Sequence, residues 1–201
     1  MIRLLIADDQ ALVRGALSAL LGLEPDIEVV AEVGRGDEVV AAAVAAQADV
    51  ALLDIEMPSM DGIAAAAALH TSLPSCRVLI VTTFGRPGYL ARAMRSGASG
   101  FVVKDTPAAQ LADAVRRIAQ GLRVVDPALA ADSLAQGASP LTERETDVLA
   151  AARTGGSIAD IARMLHLSEG TVRNHLSSAI GKTEGRNRAD AARIADENGW
   201  L

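Results

Sequence analysis

The sequence predicts an α/β domain built on a five-stranded, doubly wound parallel sheet, followed by a small all-α domain. Three observations carry this. Short β-type runs and helix-type runs alternate through the first 120 residues. The β-type runs are near-continuous in Leu, Ile and Val, as strands covered on both faces are. After residue 140 only helical spacing remains.

In chain order, strands are expected at Arg3–Ala7, Glu28–Val33, Val50–Asp54, Val78–Thr82 and Gly100–Val103. Between them, Ala11–Gly22, Asp37–Ala46, Gly62–Thr71 and Gly88–Ser96 place apolar residues at helical intervals. A last helix, Pro107–Gln120, has Thr106 as N-cap, Pro107 in its first turn and Gly121 past its end. The first domain is therefore expected to span 1–122. Residues 123–139 read as a linker, with an Ala-rich piece after Pro127 that can be helical and a break at Gly137-Ala138-Ser139-Pro140. The second domain, 140–201, holds four helix-type runs: Thr142–Arg153, Ile158–His166, Glu169–Gly181 and Arg188–Asn198.

Composition bounds the function. Half of the 201 residues are apolar, enough for two cores. One cysteine, Cys76, leaves no internal disulfide and suits a reducing compartment. The longest apolar run, Val39–Ala46, is far below the roughly 20 residues of a membrane helix. No signal-peptide pattern opens the sequence, so a cytoplasmic location without a membrane partner is expected. A net charge of −6 argues against a broad nucleic-acid surface. The charge is uneven, however: residues 1–125 carry 11 basic and 14 acidic side chains, residues 140–201 carry 8 and 9. Any DNA contact must come from a local cluster such as Arg173, Lys182, Arg186 and Arg188. So small a footprint favours binding as a dimer. Aromatic residues, at 2%, are too few for the stacking platforms of single-strand binders.

The chemistry concentrates at strand ends. Asp8 and Asp9 follow the first strand, and Asp54 closes the third. In an open parallel sheet, ligands sit at the carboxyl ends of strands near a topological switch point. Two like charges about 4 Å apart repel by about 4 kcal/mol at an effective dielectric near 20. Such a trio therefore calls for a cation, and hard oxygen donors suit Mg2+. Thr82 ends the fourth strand with a hydroxyl and Lys104 ends the fifth with an ammonium group. Together these groups suit stabilisation of phosphoryl oxygens during transfer.

The order Ala7-Asp8-Asp9, then Asp54-Ile55-Glu56-Met57-Pro58 with Met60-Asp61-Gly62, then Thr82, then Phe101 through Lys104, resembles a response-regulator receiver, a flavodoxin-like fold. The resemblance implies that Asp54 accepts a phosphoryl group from a sensor histidine kinase. It implies Mg2+ held by Asp9, Asp54 and the Glu56 carbonyl, with Asp8 acting through water. Lys104 would pair with the phosphate, Thr82 would move toward it, and Phe101 would act as the rotameric switch. One departure is Lys104-Asp105, where many receivers have a proline after the lysine.

In the second domain, Ile158, Ile161, Ala162 and Leu165 form one apolar stripe. His166-Leu167-Ser168 makes a short turn, and Ser168 can cap the next helix. That helix would bury Val172, Leu176, Ala179 and Ile180 and expose Gly170, Asn174, Ser177 and Ser178 beside Arg173. Arg and Asn on an exposed face suit guanine and adenine in a major groove. Leu141-Thr-Glu-Arg-Glu, Ile158-Ala-Asp-Ile-Ala and Leu167-Ser-Glu-Gly-Thr-Val-Arg-Asn-His resemble a LuxR-type helix-turn-helix. With a receiver in front, the chain resembles the NarL/FixJ class of two-component response regulators. This resemblance implies base-facing Arg173, Asn174 and Ser177 and phosphate contacts from Thr171, Lys182 and Arg188. It further implies promoter DNA as partner, a phosphorylation-dependent homodimer and no enzymatic turnover. Departures are Thr183-Glu184-Gly185 and Gly181, a helix-weakening residue expected to end the recognition helix early. Ala189, Ala192 and Ala195 offer a close-packing stripe on the last helix, which the resemblance makes a dimerisation element.

Three rivals stay open at this level. A haloacid-dehalogenase-type phosphatase would turn over small phosphoesters, but it places its nucleophile in Asp-x-Asp after the first strand. A receiver whose helical tail binds protein would not need Arg173 and Asn174 for duplex binding. DNA binding without phosphorylation would leave the acid, Thr and Lys set without a use.

Overall fold

The structure is a computed structural model that describes residues 1–83, 87–136, 139–153 and 155–201. Its elements run β1 (Ile2–Ala7), α1 (Ala11–Leu21), β2 (Ile27–Val33), α2 (Val39–Ala46), β3 (Val50–Asp54), α3 (Gly62–Ser72), β4 (Arg77–Thr82), α4 (Pro87–Arg95), β5 (Gly100–Val103), α5 (Ala108–Ala119), β6 (Val124–Val125), α6 (Pro127–Gln136), α7 (Glu143–Arg153), α8 (Ile158–Leu165), α9 (Glu169–Thr183) and α10 (Arg188–Glu197). The chain divides into two compact units, one around the sheet and one of helices.

The sheet has the order β2-β1-β3-β4-β5-β6 with every pair parallel. The chain leaves β1 toward β2 and returns to lay β3 on the other side. The switch point therefore lies between the ends of β1 and β3, which carry the three aspartates. Strand alternation divides the core. Leu4, Ile6, Leu52, Leu79 and Val81 pack with Val115 and Ile118 of α5. Leu5, Leu53, Ile80 and Phe101, from the alternate positions, are fully buried. Arg116 of α5 binds Asp26 and Glu24 and so pins that helix to the segment before β2. Cys76 is buried, and burial followed by the Asp49 charge pushes its thiol up to about 12.

Several details add to or differ from the sequence reading. A sixth strand, only two residues long, joins the sheet beside β5. Gly121, at φ 85, turns the chain back so that the Val124 amide reaches the Ser99 carbonyl at 3.1 Å. Helix α5 starts at Ala108, with Pro107 itself at the cap and no side-chain cap from Thr106. The Lys104-Asp105 bond is trans, as are all peptide bonds among the described residues. The expected break at residues 137–140 falls partly on Gly137 and Ala138, outside the described residues.

In the helical unit, Thr142 and Glu145 cap α7 reciprocally, the Glu145 amide reaching Thr142 Oγ1 and the Thr142 amide Glu145 Oε2. Ser157 and Asp160 do the same for α8, and Ser168 caps α9 by accepting from the Thr171 amide. His166 takes a left-handed conformation, φ 54, and makes the turn between α8 and α9. Val148, Leu149, Ile161, Val172, Leu176 and Ala179 form this unit's core. Helix α9 does not end at Gly181 but runs to Thr183, whose hydroxyl donates to the Ala179 carbonyl. The alanine stripe of α10 is also corrected. Ala192 and Ala195 are already buried in this core, and only Ala189 stays exposed. No helix among the described residues is long and apolar enough to cross a membrane.

Candidate functional site

The three clustered aspartates of the first unit are positioned by the ends of two strands. Asp8 stands just past β1, where its amide donates to the Val33 carbonyl and its Oδ1 accepts from the Gln10 amide at 2.9 Å. Asp54 is the last residue of β3, and its Oδ1 accepts from the Ile55 amide at 2.8 Å. Asp8 and Asp54 are buried, whereas Asp9 is exposed. One carboxylate oxygen from each of the three lies within 4.8 Å of the others. Lys104 Nζ sits 2.7 Å from Asp8 Oδ2 and 3.0 Å from Asp54 Oδ2.

Electrostatics at this rim are tense. Burial pushes the Asp54 carboxyl above its ordinary value, and the Asp8 charge adds to that against the pull of Lys104. Burial opposes the Lys104 charge, but its contacts with Asp8 and Asp54 outweigh it and hold the ammonium form. Asp8 Oδ2 and Lys104 Nζ are buried and in ionic contact, yet neither makes a well-directed hydrogen bond. Unfilled acceptor capacity on Asp8, in a cluster of three hard oxygen donors, fits a small divalent cation. Asp8, Asp9 and Asp54 are the residues that could hold it.

The other sequence-derived residues of this unit fall around the same rim or behind it. Thr82 is buried at the end of β4, and its carbonyl accepts from the Lys104 amide at 2.7 Å. Glu56 is exposed in the loop after β3. Phe101 lies in β5 and is wholly buried.

Two contributors escaped the sequence reading. The Arg14 guanidinium donates to the Asp8 carbonyl and lies 3.9 Å from Glu32, holding the β1–α1 turn. Gly62 passes so close to β3 that a Cβ there would stand 1.9 Å from the Asp54 carbonyl oxygen. Its place in the Met60-Asp61-Gly62 run was the available signal.

The second unit presents an exposed stretch of α9. Arg173, Asn174 and Ser177 are all exposed. Arg173 reaches Glu169 at 3.0 Å, an exposed pair of little energetic weight. Thr171 shares a hydrogen bond with Ser168 at 2.8 Å. The two cationic margins are engaged within the unit. Lys182 Nζ is 2.7 Å from Glu145 Oε2, and Arg188 donates to the Gly156 carbonyl at 3.0 Å. Glu145 is the third residue that sequence reasoning passed over. Although buried, it accepts from Ser178 and Lys182 of α9.

Comparison with known proteins agrees with this geometry. Residues 4–116 match the family described as response regulator receiver domain, and residues 139–195 match the family of bacterial regulatory proteins, luxR family. The chain is 43% identical over 201 residues to the transcriptional regulatory protein YvfU of Bacillus subtilis (strain 168), covering 100% of both. It is 41% identical over 201 residues to the transcriptional regulatory protein DesR of the same organism, again covering 100% of both. Among solved structures it resembles the response regulator ChrA of a heme-sensing two-component system, with a TM-score of 0.59 and 32% identity over 100% of this chain and 98% of that one.

Proposed function

We propose a phosphorylation-controlled mechanism for a chain that belongs to the two-component response regulators, with a receiver domain followed by a LuxR-type DNA-binding domain that regulates transcription. In this reading residues 1–122 form the phosphoacceptor domain, 123–139 the linker and 140–201 the DNA-binding domain.

A carboxylate oxygen of Asp54 attacks the phosphorus of a phosphohistidine on a sensor kinase. The new O–P bond forms as the N–P bond breaks, and the imidazole leaves with that electron pair. Asp8, Asp9 and Asp54, with the Glu56 carbonyl, would hold Mg2+, which supplies positive charge to the phosphoryl oxygens when bound. Lys104 exchanges its contact with the Asp54 carboxylate for one with the phosphoryl group. Thr82, one strand over, donates its hydroxyl to the same group, and Phe101 repacks in response. The product is a modified regulator and not a released molecule, so no catalytic turnover is assigned.

The altered receiver favours a homodimer. Two copies then present Arg173, Asn174 and Ser177 to base edges of promoter DNA, and Thr171, Lys182 and Arg188 to its phosphates. In this reading the protein acts in the cytoplasm. The single observation that supports the reading best is Lys104 Nζ within 3.0 Å of both Asp8 and Asp54.

Footprinting on genomic fragments, with and without acetyl phosphate and Mg2+, tests it. Protection that sharpens on phosphorylation and is lost in Asp54→Ala is expected. Labelling that survives in Asp54→Ala would remove Asp54 as the acceptor.

A further inference from the structure

A second polar pocket lies at the opposite end of the sheet from the aspartates, near the starts of β4 and β5. Its volume is about 330 Å3, at the small end of the range for ligand sites. Arg77, Arg95, Arg123 and His70 line it together with Ser99 and Gly97, and none of its lining residues is acidic. Arg77 comes from the first residue of β4, Arg95 from the end of α4, Arg123 from the approach to β6 and His70 from the last turn of α3. Among the described residues none of these three arginines has an ion pair. Other arginines of the same unit, such as Arg14, Arg35 and Arg116, do.

Two close approaches fix the walls. Gly97, at φ 91, lies flat beneath His70, and a Cβ there would stand 2.7 Å from the imidazole ring. The Arg77 guanidinium approaches Gly121, 3.7 Å from where a Cβ would be. Glycine at 97 thus lets a ring sit on the backbone while the chain turns through a left-handed conformation.

The ordinary account of such residues is that cations settle helix C-termini, which carry about half a negative charge each. That accounts for Arg95 and His70, which stand in last turns. It does not account for Arg77, on a strand, or Arg123, past the end of α5. Three full guanidinium charges also exceed what nearby helix ends neutralise, and the helix field fades within one turn. Guanidinium groups bind phosphate through paired hydrogen bonds, and several around one concavity select a multiply charged anion.

We infer that this pocket binds a compact diphosphate group, either free or as the diphosphate of a nucleotide. Arg77, Arg95 and Arg123 are its charge partners and His70 an additional donor.

The test is calorimetric titration of the full chain, without Mg2+, using inorganic diphosphate in one arm and ADP in the other. Saturable one-site binding is expected, weakened at least about tenfold in an Arg77→Gln/Arg123→Gln variant. Binding is expected to be unchanged in Asp54→Asn, which separates this pocket from the acidic rim. Tighter binding of ADP than of inorganic diphosphate identifies the nucleotide source, and the reverse identifies the free anion. Absence of saturable binding in both arms overturns the inference. So does equal binding by the arginine variant, provided its thermal transition matches the parent's. If that variant unfolds, Arg123→Gln alone, exposed and outside every helix, is read in the same way. A stability loss with no anion binding by the parent assigns these cations to helix ends alone and also overturns the inference.

Discussion

Lys104 Nζ bridges two buried carboxylates, standing 2.7 Å from Asp8 and 3.0 Å from Asp54. The cation therefore already has a role in the resting protein. It neutralises a rim that would otherwise hold like charges together in a buried setting.

Lys104→Met should accordingly destabilise the metal-free receiver by about 3 kcal/mol, because two buried carboxylates lose their partner. Urea unfolding monitored by far-UV circular dichroism measures this. Added Mg2+ should recover more stability in the variant than in the parent, since it replaces missing positive charge. Equal midpoints for variant and parent without metal would contradict the assigned role of Lys104.

Gly62→Ala should lower receiver stability by about 3 kcal/mol, at the upper end for one added methyl group. The obstacle is the Asp54 backbone carbonyl, 1.9 Å from the new carbon, so relief requires the main chain at Asp54 to move. Labelling by acetyl phosphate should slow in parallel. A variant with unchanged midpoint and unchanged labelling would show that α3 can shift away freely.

Glu145 should make the helical unit acid-sensitive. Burial alone would raise its carboxyl, but Lys182, Ser178 and Thr142 bring it down from 4.5 to about 2. A group depressed on folding adds stability that is complete above its unfolded value and fades as the pH falls toward its folded one. The loss should therefore develop between about pH 5 and pH 2 and amount to about 2 kcal/mol, allowing for the partial exposure of Lys182. Trp200, the single tryptophan, packs against this core and reports it by fluorescence. Glu145→Gln should flatten that dependence, and an undiminished acid transition in it would point to other groups.

Arg173→Ala and Asn174→Ala should each weaken specific duplex binding by about 1–3 kcal/mol while leaving the fold intact, because both side chains are exposed. Lys182→Ala should behave differently. It strands the buried Glu145, so thermal stability should fall together with binding. Pairing it with Glu145→Gln should restore stability and leave only the lost contact. Gel shift alongside thermal unfolding separates the cases, and an unstable Arg173→Ala would indicate a structural role for that residue.

The parallel sheet and the acid rim were readable because periodicity and strand-end placement are both local signals. Apolar runs marked β1 to β5, and topology alone brought Asp8, Asp9, Asp54 and Lys104 to one edge. β6 escaped because two valines are too short a run, and only pairing with Gly100 and Phe101 makes them a strand. Arg14 and Glu145 escaped for another reason. Their importance rests on contacts across elements, with a carbonyl past β1 and with Lys182 on α9, which no spacing in the sequence announces. Gly181 misled in the opposite direction. Glycine weakens an isolated helix, but α9 is held by buried Leu176 and Ala179 and by the Thr183 hydroxyl, so it continues.

Val124 and Val125 also decide what becomes of the sheet's margin. With them in place, β5 has a partner on both sides. A fragment terminated at residue 122 would leave the outer carbonyl groups of Ser99 and Phe101 open to strands from other molecules. Isolated receivers ending there should self-associate with time, whereas fragments carried through Asp126 should stay monodisperse. The two valines act as a built-in guard against aggregation.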